Sequence, residues 1–249
     1  MPKPDYGNWV PKRLIYGALV SGLVFLILAL WFVFLLAAAV LFFLVAAFFA
    51  YAYYEFSTTG ANVQNAVWEL LLSNLDWTGN GKALDIGCGN GALTIKLAQK
   101  YPKAQALGID YWGKRWEYSK NTCESNAKIE GVSDRVKFQK ANAASLPFED
   151  EDFDAAVSNF VFHEVSHIKD KREVIREALR VVKKGGKFAF QDEFLVKKIY
   201  GTPDDLIATI KSWGITKVQL IKTGEADFIP RPLKVPLFLG TMAIIAGEK

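Results

Sequence analysis

The chain has 249 residues, a formal net charge of +4 and a 51% share of hydrophobic residues. Its two cysteines form neither a disulfide framework nor a metal-ligand spacing, which excludes a disulfide-stapled secreted domain and suits reduced, intracellular thiols. The modest positive charge comes without Arg-rich clusters or a nucleic-acid-binding motif, so it points to an anionic lipid surface and away from nucleic acid.

Residues 1–13 carry Lys3, Lys12 and Arg13 against the single acid Asp5, a short basic arm suited to a cytoplasmic membrane surface. Residues 14–54 then form a run of 41 without a charged side chain or a proline. Such a run is membrane material. It exceeds the roughly 7–15 apolar residues of a cleaved signal, so it is expected to stay in the mature protein. As one helix it would extend about 60 Å, twice the hydrocarbon thickness, which argues for a hairpin of two transmembrane helices. A hairpin also returns the chain to the cytoplasm, the side on which the positive-inside rule holds the arm. Tyr16, Trp31, Tyr51, Tyr53 and Tyr54 would lie at the interfaces if the turn falls around Trp31 to Phe34; Ala37 to Ala39 serves as well. A shallow interfacial hairpin is the alternative.

From residue 55 to residue 249 the composition is that of a soluble domain. Helical spacing marks Asn62–Leu75, and the turn residues Thr78-Gly79-Asn80-Gly81 end that segment. Strands are expected at Ala83–Ile86, Ala104–Asp110, Val136–Lys140, Phe153–Ser158, Lys187–Gln191, Lys217–Ile221 and Met242–Ala246. Helices are expected from the glycine turn to Tyr101, from Trp112 to Ile129, from Lys171 to Val182 and over Asp204–Trp213. Alternation of this kind predicts an α/β fold with a mostly parallel sheet and helices on both faces.

The most informative stretch is Ala83-Leu84-Asp85-Ile86-Gly87-Cys88-Gly89-Asn90-Gly91, read as strand, glycine turn and helix start. Glycines at alternate positions allow φ > 0, bring a ligand close to the backbone and should leave N–H groups pointing into the crevice. Asp85 would repel a pyrophosphate there and attract a cation such as an α-ammonium. The spacing Gly-x-Gly-x-Gly also misses the dinucleotide fingerprint.

With Asp85 two positions ahead of Gly87, this stretch resembles motif I of class I S-adenosylmethionine-dependent methyltransferases, a resemblance that covers residues 62–249. It implies a Rossmann-like fold with S-adenosyl-L-methionine as cofactor. Asp110, 19 residues after Gly91, matches the family's acceptor for the ribose hydroxyls, a role that suits a carboxylate; its alternative is to cap the helix expected from Trp112. Tyr111 matches the residue that packs on the adenine. Lys140 to Phe148 resembles the adenine-binding stretch, in which Asn142, beside Ala143, replaces the usual acid and weakens the expected bond by about 1 kcal/mol. The last two strands are expected to form the antiparallel pair typical of the family.

Phe153 to Val165 resembles the stretch that passes the methyl donor and enters the substrate pocket. Ligands of open α/β sheets lie outside the carboxyl ends of the strands, which nominates Ser158, Asn159, His163 and Glu164 for the substrate side, with Asn159 also at the cofactor and with His163 and Glu164 as the catalytic pair in which His163 is the general base. The alternative for His163 and Glu164 is to anchor the loop. His163-Glu164-Val165-Ser166-His167 also spells HExxH, but it follows a strand directly and the chain has only these two histidines, so no metal site is expected.

These readings converge on a membrane-anchored methyltransferase for a lipophilic small molecule or lipid, similar in its soluble half to the lipid quinone methyltransferases. The alternatives are a tethered enzyme with a soluble or protein acceptor and a non-catalytic, cofactor-binding membrane module. The proline-rich, apolar segment Asp227–Leu239 is expected to face the membrane at the substrate entrance.

Overall fold

The computed structural model describes residues 2–113, 118–215, 217–236 and 238–249. It divides into two compact units: Asn8–Val67, and Trp68–Lys249 together with the residues up to Gly7.

In the first unit, α1 (Lys12–Leu28) and α2 (Leu35–Phe56) pack against each other across a turn that includes Trp31 to Phe34. Ala18, Gly22, Ala39, Ala46 and Ala52 are the buried small residues, and small residues let two helix backbones approach closely. A Cβ on Gly22 would meet the Phe43 ring at 2.8 Å, and Phe25 stacks on Phe42 with 5.3 Å between centroids. Large apolar side chains from Leu14 to Leu44 remain exposed, Leu30 at 80% and Trp31 at 71%. Among the described residues, α2 is the one helix long and apolar enough to cross a membrane. The 17 residues of α1 span only about 25 Å, short of a full hydrocarbon layer, which leaves the expected two-helix span without support from helix length.

The second unit holds a seven-stranded sheet in the order β3-β2-β1-β4-β5-β7-β6. Its strands are β1 (Gly81–Ile86), β2 (Ala104–Asp110), β3 (Val136–Lys140), β4 (Phe153–Asn159), β5 (Val182–Asp192), β6 (Lys217–Lys222) and β7 (Ala243–Glu248). β1 to β5 pair in parallel, and β7 runs antiparallel to both β5 and β6, as expected for the closing pair. α3 (Val63–Ser73) begins in the first unit and ends in the second, whose other helices are α4 (Ala92–Lys100), α5 (Lys120–Ile129), α6 (Arg172–Arg180), α7 (Lys197–Tyr200) and α8 (Pro203–Ser212). One face of the sheet carries an apolar core, with Leu84, Ile86, Phe188, Phe190 and Ile245 packed with Val174, Ile175, Leu206 and Ile210 from α6 and α8.

Three expectations change. The helix placed from Trp112 begins at Lys120, where the Ser119 hydroxyl accepts the Thr122 N–H at 3.1 Å; residues 114–117 lie outside the described ones. β5 runs on to Asp192 because its backbone keeps pairing with Ala243 of β7, and backbone pairing is indifferent to an acid at the strand's end. The segment Asp227–Leu239, expected to face the membrane, instead sends Ile229, Leu233 and Leu239 into the protein interior, while Phe228 and Val235 stay 37% and 38% exposed and Leu237 lies outside the described residues.

The arm is also divided differently. Asp5 donates its N–H to Asn126 Oδ1 at 2.9 Å and accepts from Asn126 Nδ2 at 2.8 Å, and the Tyr6 hydroxyl reaches Glu130 at 3.2 Å. These contacts tie the first residues to α5 of the sheet-bearing unit.

Candidate cofactor and acceptor site

The glycine turn sits between β1 and α4, with Gly87, Gly89 and Gly91 all at positive φ. Gly87 has a second reason to lack a side chain, since a Cβ there would lie 2.2 Å from Val161 at the end of β4. The expected free N–H groups are largely committed elsewhere. Those of Gly87 and Cys88 bond to Ile109 O at 2.8 and 2.9 Å, that of Gly89 to Asp110 Oδ2 at 2.9 Å and that of Gly91 to Cys88 O at 2.8 Å. A phosphate nest needs such donors unspent. This turn presents carboxylates instead.

Asp85 is 2% exposed and accepts the Thr94 hydroxyl at 2.6 Å from the first turn of α4. Burial pushes its carboxyl up to about 7, the Thr94 hydrogen bond pulls the other way and the charge of Asp110 adds to the rise. Asp110 is raised as well, by burial above all, against the N–H groups of Trp112 and Gly89 that it accepts at 2.7 and 2.9 Å. Two carboxylates under one turn suit a cationic ligand, and each Asp110 oxygen keeps a lone pair for a diol.

Trp112 escaped the sequence reading. It holds φ at 44° and donates its indole N–H to Gly89 O at 2.9 Å, so it braces the turn from the carboxyl end of β2. Asn126 was also missed: 2% exposed, it donates to Asn90 O at 3.0 Å as well as holding the arm. Both are ordinary residue types in unremarkable local sequence, and only the fold brings them to the turn.

Tyr111 is 64% exposed, with Lys140 Nζ 5.1 Å from its ring centroid, so one aromatic face stands at the end of β2 where an adenine would be received. Asn142 spends one lone pair of Oδ1 on the Ala144 N–H at 3.0 Å, and its Nδ2 lies 3.2 Å from His167 Nε2. Ala143 packs on the apolar core. Arg180 fixes this loop from behind through the carbonyls of Phe148 at 2.9 Å and Leu146 at 3.1 Å, while Glu177 takes the Leu146 N–H at 2.7 Å.

At the end of β4, Ser158 donates to Ile86 O at 2.8 Å and is fully buried, which makes it a strand-pairing residue. Asn159 is half-buried, and Phe160 after it adopts a left-handed φ of 61° that a bulky residue rarely takes. The chain then makes a 3-10 turn over Phe162–Glu164 that puts His163 against Asp192. His163 Nδ1 lies 2.7 Å from Asp192 Oδ1, and Asp192 Oδ2 accepts the N–H groups of Phe162 at 2.7 Å and Val161 at 3.1 Å. Burial opposes the imidazolium, but the hydrogen bonds to Asp192 and Glu164 and the charges of Asp192 and Glu193 outweigh it, raising His163 to about 10. Glu164 Oε1 is 3.6 Å from His163 Nε2. The two histidines of the HExxH stretch take separate partners, His163 on Asp192 and His167 on Asn142.

The glycine turn, Asp110, the Asn142 loop and the His163 turn all lie within residues 84–190. Over those residues the chain matches the methyltransferase-domain family model. It is 32% identical to methyltransferase GfsG of Streptomyces halstedii, over 57% of this chain and 47% of that protein. It is 36% identical to a ubiquinone/menaquinone biosynthesis C-methyltransferase of Bartonella henselae, over 43% of this chain and 39% of that protein. The chain thus spans less than half the length of these two relatives. Among solved structures, a geranyl diphosphate C-methyltransferase from Streptomyces coelicolor, in complex with geranyl diphosphate and S-adenosyl-L-homocysteine, superposes with a TM-score of 0.58 at 13% identity over 75% of this chain and 79% of that one. The [4+2]-cyclase SpnF superposes with a TM-score of 0.56 at 20% identity, over 76% of this chain and 82% of that one. At these identities the likeness is one of fold.

The methyltransferase domain's residues fit its cofactor. We infer that Asp110 and Tyr111 would hold the ribose and adenine, Asn142 and Ala143 the adenine edge, and Asp85 with the turn Gly87, Gly89 and Gly91 the cationic amino-acid end.

Proposed function

We propose that the chain is a membrane-anchored methyltransferase that acts on a lipophilic small molecule or lipid, with the methyltransferase domain facing the cytoplasm. The observation that carries this reading is the helical hairpin, without a charged side chain over residues 14–54 and apolar on its exposed surface, built into the same chain as the domain. Such a surface is costly in water and stable in lipid. Lys3, Lys12 and Arg13 before it favour a cytoplasmic start, and a hairpin brings the domain back to that side.

When bound, the cofactor supplies a methyl group on a positively charged sulfur, whose bonding pair returns to sulfur as the methyl leaves. The chain's own residues align and deprotonate the acceptor. Asn159, at the end of β4, stands beside the donor. His163 takes the acceptor's proton on Nε2, with Asp192 fixing the other ring nitrogen and Glu164 beside it. Alignment at near-attack distance then supplies most of the acceleration.

The test is transfer of a radiolabelled methyl group from S-adenosylmethionine into a membrane lipid extract by the purified full-length chain. Label in the organic phase is expected. Label confined to soluble molecules or proteins would favour a tethered enzyme with a soluble acceptor, and cofactor binding without any transfer a non-catalytic module.

A further inference from the structure

Buried polar groups are nearly always hydrogen-bonded, and an exception asks for a reason. Gln191, near the end of β5, is fully buried, and neither its amide oxygen nor its amide nitrogen has a hydrogen-bond partner. Asn159 Oδ1 and Thr223 Oγ1 are buried and unpartnered in the same way.

Strand register brings these three residues to one face. Asn159 of β4 is paired with Gln191 of β5, Gln191 with Ile244 of β7, and Ile244 with Ile221 of β6. Paired residues on neighbouring strands share a face, and so do residues two apart along one strand. Lys222 is still extended, so Thr223 returns to the face of Ile221, with its N–H on Met242 O at 3.0 Å. Asp85 belongs to this face too, because it pairs with Val157, two residues before Asn159. The row therefore continues the cofactor side of the sheet along the carboxyl edge, past the strand where the donor ends. Asp192 lies on the opposite face of β5, and His163 meets it from the turn that follows β4, beyond the strand end.

The chemistry of the row is specific. Gln191 offers a donor and an acceptor side by side, Thr223 a hydroxyl that serves as either, and Asn159 an acceptor. None of the three is charged. Among these three residues a carboxylate or phosphate would find no cation, and an ammonium no carboxylate. We propose that Asn159, Gln191 and Thr223 seat the polar head of the methyl acceptor, and that this head is an uncharged hydroxyl, hydroxy-carbonyl or amide group. The assignment rests on the methyltransferase reading above and narrows its acceptor class. It also accounts for three unpaired groups that apolar residues of equal size would replace without loss to the fold.

Gln191→Met and Thr223→Val, in the full-length chain, keep shape and remove polarity. Three readouts are compared with the parent: melting temperature, affinity for S-adenosylhomocysteine by calorimetry, and labelled methyl transfer into a lipid extract fractionated by charge. The expected result is an equal or higher melting temperature, an affinity within twofold, transfer reduced tenfold or more, and parent label in the neutral fraction. Unchanged transfer by both variants, or parent label only in a charged fraction, would overturn the proposal. So would a lowered melting temperature with a matching loss of affinity, the sign of a structural role. If the parent labels only the aqueous pool, the lipid acceptor is wrong, and the row is judged by the same ratio and charge separation on that pool. No transfer into either pool overturns both readings.

Discussion

His163 and Asp192 form one unit: Nδ1 of the first lies 2.7 Å from Oδ1 of the second, which is fully buried and also receives three backbone N–H groups, those of Val161, Phe162 and His163, on its other oxygen. The pair holds its proton to about pH 10 in the acceptor-free protein. A His163 base therefore works through its minor neutral form at neutral pH, and transfer should rise with pH across the range 7–10. A plateau already reached near 6.5, the pKa of a free histidine, would contradict this role. Asp192→Asn should lower the rate by about 10²-fold or more and move the limb to lower pH, which pre-steady-state methyl transfer measures.

The same pair acts on stability. Unfolded histidine releases its proton near 6.5 and folded His163 near 10, so the stabilisation is complete below 6.5 and drains away as pH rises toward 10. Thermal melts of the parent and Asp192→Asn should converge at the alkaline end of this window. Parallel curves would separate the pair from the pH dependence.

Asp85 has the opposite chemistry and the same direction. Its folded carboxyl keeps a proton up to about 7, whereas an unfolded aspartate loses it near 4, so the ligand-free fold loses stability as pH rises from about 4 to 7. Asp85→Asn should flatten that slope, yet bind S-adenosylmethionine about tenfold more weakly, or roughly 1.4 kcal/mol, because the cationic end loses its counter-charge. Calorimetry that finds equal affinity at pH 8 would remove Asp85 from the ligand's surroundings.

Asn126 couples the N-terminal residues to the glycine turn through Asp5 and Asn90 O. Asn126→Ala should cost about 1–3 kcal/mol of stability by leaving those groups unpaired. Removal of residues 2–7 should weaken cofactor binding several-fold without a loss of the fold. A truncated chain with unaltered affinity would show that the arm only decorates α5.

The hairpin should leave both of its ends on one side of the bilayer. Cysteines introduced at Lys3 and Thr59 in sealed vesicles should label alike with an impermeant reagent. Opposite accessibility would indicate a single crossing.

Much of this protein was legible in its sequence, for reasons of periodicity and local sterics. Runs such as Ala104–Asp110 are short, apolar and bounded by turns, and all seven strands were foreseen to within a few residues of their ends apart from the start of β5. The Asp85-to-Gly91 stretch announced its turn because alternate glycines have few other uses, and the uncharged run of residues 14–54 announced a helical hairpin. What the sequence left open depends on contacts between residues far apart in the chain. Asp192 lay just past the expected strand Lys187–Gln191 and drew no notice until β4 and β5 lay side by side and the turn after β4 folded back to it, 29 residues away in sequence. The N–H groups of the glycine turn were expected to be free, and the carbonyl of Ile109 and the carboxylate of Asp110 take three of them, which no local pattern encodes. Gln191 and Thr223 share a face only through the register of β5, β7 and β6. Hydrophobic pattern fixes which elements form; the pairing of distant backbones decides which polar groups are satisfied and which are left to meet a ligand.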